Sequence, residues 1–138
     1  MDRTFSIIKP DATKRNLTGA INKEIEEKNL RIIAQKRIKL SREKAEGFYS
    51  VHKDKVFFNE LIEYMISEPI IVQVLEGDNA VENYRKIMGS TNPLEAEKDT
   101  IRNKYGINIQ ENSVHGSDSH ENSQIEIKFF FNDDEIVG

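Results

Sequence analysis

A chain of 138 residues with 20 Lys and Arg against 24 Asp and Glu carries a formal charge of −4, so its surface as a whole does not solicit nucleic acid or an anionic membrane. That length supports one hydrophobic core and not two independent ones, and a single domain over residues 1–138 is expected. The absence of cysteine excludes a disulfide framework, a thiolate nucleophile and a thiolate metal site. No apolar run suggests a signal peptide or approaches the roughly 18 residues of a membrane span, so a cytoplasmic location is expected.

In chain order, residues 4–8 form a β-prone run halted by Lys9-Pro10-Asp11, because proline restricts the residue before it and turn chemistry follows. Thr18 or Gly19 opens a helix in which Ile21, Ile25 and the Lys28 stem recur on one face. Residues 31–40 read as strand, with Ile38 and Leu40 alternating against Lys39. Ser41 caps a short helix through Tyr49; Phe58, Leu61, Ile62 and Met65 fall at helical spacing in the next helix, which Pro69 breaks. The apolar, β-branched residues 70–75 form a strand, and Asp78 opens a helix that runs through Met88 to Gly89.

The polar stretch 90–112, with Asn92-Pro93, reads as a long ordered loop holding a turn of helix near residues 100–104, and long loops in compact domains are often functional. A short strand ending at Val114-His115 and a last helix with Ile125, Phe129 and Phe130 complete the chain. Strands separated by helices, without a Gly-rich phosphate fingerprint, favour an α+β two-layer sandwich over a doubly wound sheet.

Two of the three histidines invite chemistry to different degrees. His52, beside Lys53 and Asp54, has the setting of a surface or satisfied core residue. His115 follows an apolar run and precedes Gly116, which lets backbone come close to a ligand, while Ser117, Asp118 and Ser119 supply acceptors and free N–H groups at what reads as the mouth of a helix. Such a mouth favours anions. On the motif alone three roles stay open for His115. It can ligate a metal with Asp118 and His120, although no second donor cluster stands elsewhere. It can be structural. As a nucleophile it needs one free neutral ring nitrogen, an acceptor fixing the other, and cations to hold an anionic electrophile.

The ordered set Lys9-Pro10-Asp11, Thr91-Asn92-Pro93, Thr100-Ile101-Arg102 and the run NSVHGSDS at 112–119 closely resembles the nucleoside diphosphate kinases. The similarity extends across essentially the whole chain, through Phe48-Tyr49, Lys53-Asp54, Phe57-Phe58, Leu75-Glu76-Gly77 and Glu126-Ile127. The resemblance implies a ferredoxin-like α+β sandwich with a mainly antiparallel four-stranded sheet, an added helical hairpin and a long loop. It implies ping-pong transfer of a terminal phosphate from a nucleoside triphosphate to a nucleoside diphosphate. His115 is then the nucleophile and transient phosphohistidine, and Glu126 the carboxylate near it. Lys9, Tyr49, Arg85, Thr91 and Arg102 match positions around the phosphates, Lys9 also reaching the ribose with Asn112, and Phe57 matches the aromatic on which the base stacks.

Those residue types suit the chemistry. Phosphoryl transfer has a loose, charge-rich transition state, so catalysis is largely positioning and electrostatics. Arg85 and Arg102 offer planar forks to phosphate oxygens and Lys9 a compact charge. Stacking on Phe57 reads a π-face, which implies broad base specificity. Mg²⁺ is implied, bound mainly through nucleotide phosphates and water. The family builds homotetramers and homohexamers from a common dimer, and one of these is expected. The acidic tail, residues 131–138, is expected to offer few contacts that would choose between them.

Without the resemblance, Phe57 reads as core, Arg85 as a solvated helix face, Thr91 as turn chemistry and Glu126 as a surface carboxylate. Departures from the family pattern stand at Lys98-Asp99, in place of a small pair, and at Lys104, where an acidic residue is usual; both bear on the loop around Arg102. Lys55-Val56 replaces a more typical Arg-Pro, and His120, outside the pattern, is expected at the surface. An RNA-binding module of the same fold would carry aromatic-rich strands, and residues 4–8 and 70–75 hold only Phe5 between them. A purely structural subunit leaves the histidine motif unexplained.

Overall fold

Four antiparallel strands in the order β2-β3-β1-β4 form the centre of the computed structural model, which describes residues 1–138. They are β1 (Asp2–Ile8), β2 (Arg31–Ile38), β3 (Ile70–Gly77) and β4 (Val114–Gly116). Seven helices join them: α1 (Pro10–Lys14), α2 (Thr18–Glu27), α3 (Arg42–Phe48), α4 (Phe58–Met65), α5 (Ala80–Met88), α6 (Ile101–Tyr105) and α7 (His120–Phe130). The pattern β1-α2-β2-β3-α5-β4 is the ferredoxin-like unit, and α3, α4 and α7 are added to it.

Alternation along the strands decides what each face packs against. Phe5 and Ile7 of β1, with Ile70, Val72 and Val74 of β3, bury against Ala45 of α3, Leu61, Ile62 and Met65 of α4, and Ile127 and Phe130 of α7. Their neighbours Ile8, Ile71 and Leu75 face Ile21 and Ile25 of α2 and Ala80, Tyr84 and Met88 of α5. The sheet thus has a core on each side, and the hairpin α3–α4 closes one of them.

Local chemistry explains most boundaries. Ser41 caps α3, its Oγ accepting from the Lys44 N–H at 3.0 Å, and Thr100 caps α6 in the same way from Asn103 at 3.3 Å. Three local readings are corrected and one is extended. Pro10 does not merely stop β1: it occupies the first position of α1, where its missing N–H costs nothing and its fixed φ suits a helix. Lys28 lies beyond the last residue of α2, as its C-cap. β2 ends at Ile38, short of Leu40. Asp78 precedes a cap at Asn79 in the left-handed region (φ 48°), so α5 starts at Ala80. The tail packs on its own chain: Phe131 is buried, the Val137 N–H donates to Ile33 O at 2.9 Å, and Glu135 pairs with Lys36 at 2.8 Å. No helix is long and apolar enough to cross a membrane.

Candidate active site

His115 sits on the edge strand β4, paired across from Ile7 of β1, and so shares the face of the sheet that carries Phe5. Its ring meets Phe48 edge-on, with centroids 5.6 Å apart, and Phe5 at 6.1 Å. Nε2 lies 2.9 Å from Glu126 Oε1, and Ser117 Oγ donates to the same oxygen at 2.8 Å. An ionised carboxylate only accepts, so the ring proton belongs on Nε2 and Nδ1 keeps its lone pair. Nδ1 makes no hydrogen bond within the chain.

Glu126 reaches the ring because α7 packs Ile127 and Phe130 against β1. That helix begins at His120, with Ser119 Oγ accepting from Asn122 N–H at 3.0 Å. Gly116 is therefore not at a helix mouth but the last residue of β4. Its lack of a side chain is required by α5: a Cβ there would lie 2.6 Å from Met88 Cε and 2.7 Å from Tyr84 Cδ2. The metal-ligand reading fails on geometry, because the three side chains have separate partners: His115 bonds Glu126, Asp118 bonds Asn122, and His120 bonds Gln124 on the exposed face of α7.

Lys9, Tyr49, Phe57, Arg85, Thr91, Arg102, Asn112 and His115 line one cavity of ≈ 620 Å³, and Glu126 stands behind His115 rather than in the wall. The contributors come from the residue between β1 and α1, the C-cap of α3, the residue before α4, α5, α6, the long loop and β4. Sequence reasoning missed His52, which also lines the cavity, 5.9 Å from the Phe57 ring. Its Nδ1 is buried without a partner, and burial, helped by Lys55, lowers its pKa. Its spacing of three from Tyr49, on the turn Ser50–His52, is the signal that could have found it. Gln110 and Asp118 are further lining residues.

Three cations give the cavity its character. Lys9 Nζ donates to Asn112 Oδ1 at 2.9 Å, while Asn112 Nδ2 donates to Thr91 O and Ile109 O at 3.0 and 2.9 Å. Burial, reinforced by the Arg102 guanidinium, pulls the Lys9 ammonium down to about 8. Arg102 donates from Nη1 to Gly89 O at 3.0 Å and from Nη2 to Val114 O at 2.8 Å, and its buried Nε has no partner. Arg85 is exposed and bonds Asp118 O at 3.1 Å. The Tyr49 hydroxyl is buried and unpaired; burial, with Glu126 nearby, raises its pKa and keeps it a donor. Unpaired donors beside concentrated positive charge suit an anionic ligand.

The departures around Arg102 also resolve. Lys104 reaches Glu24 of α2 at 2.9 Å, so its charge finds a partner. Asp99 takes φ 71°, the left-handed conformation that a glycine adopts without strain. Lys55 lies 5.6 Å over the Phe57 ring.

Comparison with known proteins bears on this site. A family model described as nucleoside diphosphate kinase matches residues 2–136. A nucleoside diphosphate kinase of Erythrobacter litoralis is 65% identical over 136 residues, 99% of this chain and 97% of that one. Among solved structures, the Aquifex aeolicus nucleoside diphosphate kinase superposes with a TM-score of 0.95 at 40% identity, covering 99% of both chains. A halophilic nucleoside diphosphate kinase from Halobacterium salinarum in complex with CDP gives a TM-score of 0.94 at 38% identity, covering 99% of this chain and 91% of that one.

Proposed function

This chain belongs to the nucleoside diphosphate kinase family, and from that premise we propose that it moves the terminal phosphate of a nucleoside triphosphate to a nucleoside diphosphate through a phosphohistidine on His115. The observation that carries the reading is the commitment of His115 Nε2 to Glu126, which leaves Nδ1 free beside a cavity lined by Lys9, Arg85 and Arg102.

In the first half-reaction the Nδ1 lone pair attacks the terminal phosphorus, the bond from phosphorus to the bridging oxygen breaks, and the diphosphate departs with that electron pair. The positive charge that develops on the ring is balanced through Nε2–H by Glu126, which Ser117 holds in place. In the second half-reaction a terminal oxygen of another nucleoside diphosphate attacks the same phosphorus and the P–N bond breaks. Lys9, Arg85 and Arg102 neutralise phosphate oxygens, and Tyr49 and Thr91 donate hydroxyl hydrogen bonds to them. Lys9 and Asn112 meet the ribose. Phe57 stacks on the base by its face, so every base is accepted.

No group of three or more His, Cys, Asp or Glu side chains gathers to cage a metal, which fits a Mg²⁺ that would be held mainly by the nucleotide's phosphates and water, with Asp118 and Glu60 the carboxylates in the cavity wall. When bound, the ion would supply neutralisation of phosphate charge. Assembly as a homotetramer or homohexamer, a cytoplasmic location and a single domain complete the proposal; mass in solution tests the assembly.

Incubation with γ-labelled ATP tests the chemistry. An acid-labile, base-stable label should appear on the protein, be absent from His115→Ala, and be discharged by any nucleoside diphosphate. A label that survives in His115→Ala removes His115 from the role.

A further inference from the structure

Asp11 has no part in the chemistry above, yet its side chain is 1% exposed and every acceptor site it has is filled. Oδ1 accepts from the Ser113 N–H at 3.1 Å and from the Tyr64 hydroxyl. Oδ2 accepts from Ser113 Oγ at 2.9 Å and from Arg15 Nη2 at 2.9 Å. The same Nη2 donates to Tyr105 O at 2.6 Å, and Arg15 Nε donates to Asp11 O at 2.8 Å.

These bonds reach three working parts, two of them directly and the third through Arg15. Ser113 lies two residues before His115 and one after Asn112, in a left-handed conformation (φ 73°), and its carbonyl accepts the Lys9 N–H at 2.8 Å. Tyr64 is on α4, the helix that opens just after Phe57. Tyr105 closes α6, the helix that carries Arg102. Burial and the neighbouring carboxylate keep the Tyr64 phenol protonated, so it donates.

From this convergence we infer that Asp11 is a positioning residue for the reaction: one buried carboxylate locks the histidine strand and the base-stacking hairpin to the start of α1 and, by orienting Arg15 toward Tyr105, ties in the arginine helix, and so sets the nucleophile against the bound nucleotide. Only an acceptor of four hydrogen bonds can hold Ser113 and Tyr64 and orient Arg15 at once. An asparagine in its place turns its NH2 toward either the Ser113 N–H or Arg15 Nη2, neither of which can accept. Unfilled donors in a buried site then draw the segments apart, and a displacement on the order of 1 Å costs roughly 100-fold in rate.

The inference rests on the phosphohistidine reading, and the experiment separates the two. The rate of His115 labelling at saturating ATP and the Kd for ADP are measured for the wild type, Asp11→Asn, Tyr64→Phe and Ser113→Ala, with a Tm for each. Tyr64→Phe frees only the hairpin arm, and it should weaken ADP binding several-fold while leaving the saturating labelling rate unchanged. Ser113→Ala removes one of the two bonds to the histidine strand; its labelling rate should fall roughly tenfold, a larger change than in its Kd, since Ser113 precedes the nucleophile by two residues. Asp11→Asn should do both. Should Asp11→Asn fail to fold, the two single-arm variants decide the matter, because each keeps three of the four bonds. A wild-type protein that takes no label refutes the phosphohistidine reading itself. Labelled wild type with both constants unmoved in both single-arm variants, or with Tm alone affected, overturns the role of Asp11.

Discussion

Replacing Lys9 with methionine separates what the residue contributes to binding from what it costs the free protein. Lys9 is 9% exposed, and its ammonium is held from its ordinary 10.5 down to about 8, chiefly by burial and next by Arg102. At about 1.4 kcal/mol per pH unit, keeping that charge in the native state at neutral pH costs on the order of 3 kcal/mol. Lys9→Met removes the cost, and it also removes the bond to Asn112, worth about 1.5–3 kcal/mol for a charged donor. The variant should therefore match or slightly exceed the wild type in stability near pH 7 while losing turnover.

The pH dependence is sharper because it isolates one group. Above about 8 the native Lys9 has released its proton, whereas the unfolded chain keeps it until about 10.5. In that window the unfolded state binds more protons, so wild-type stability rises with pH relative to Lys9→Met. The difference between the two proteins should move by about 3 kcal/mol in favour of the wild type, roughly 10 °C in relative Tm, between pH 8 and 10.5. Thermal melts of both proteins across that range check it, and taking the difference cancels the groups they share. A bound phosphate should restore the ammonium, so nucleotide affinity of the wild type should fall by as much as tenfold per pH unit above about 8. A Tm difference that stays flat from pH 7 to 10.5 would refute the burial argument.

Three other substitutions probe the remaining parts. Phe57→Ala should weaken calorimetric binding of every nucleotide by a similar amount, on the order of 1–3 kcal/mol, and a loss confined to one base would mean that the pocket reads edges. Glu126→Gln leaves an acceptor for Nε2–H but no charge; losing a charged hydrogen bond of about 1.5–3 kcal/mol should slow labelling of His115 by roughly 10- to 100-fold. Undiminished labelling in Glu126→Ala would leave the carboxylate without a role in transfer. Gly116→Ala should destabilise the fold by about 1–3 kcal/mol, because the new Cβ falls 2.6 Å from Met88 Cε and 2.7 Å from Tyr84 Cδ2. Denaturant midpoints measure it, and an unmoved midpoint would show that α5 yields.

Much of this protein is local and therefore legible in its sequence. Ser41 declares its helix because a cap is chemistry between residues three apart. Helix α4 follows from the spacing of Leu61, Ile62 and Met65, and β3 from an unbroken apolar run. The site residues were a different case: their family likeness named them, while spacing alone gave Phe57, Arg85 and Glu126 ordinary readings. What brings them together is pairing across long stretches of chain, Ile7 with His115 and Asp11 with Ser113, and no periodicity in a sequence records which donor will meet which acceptor over such separations. Gly116 and His52 make the same point from opposite directions. The glycine looked like a helix mouth but answers to Tyr84 and Met88, and the histidine looked like a surface or satisfied core residue but lines the cavity. Elements form from neighbours in the chain; which side chains share a wall is decided only when sheet register and two cores fix distant segments against each other.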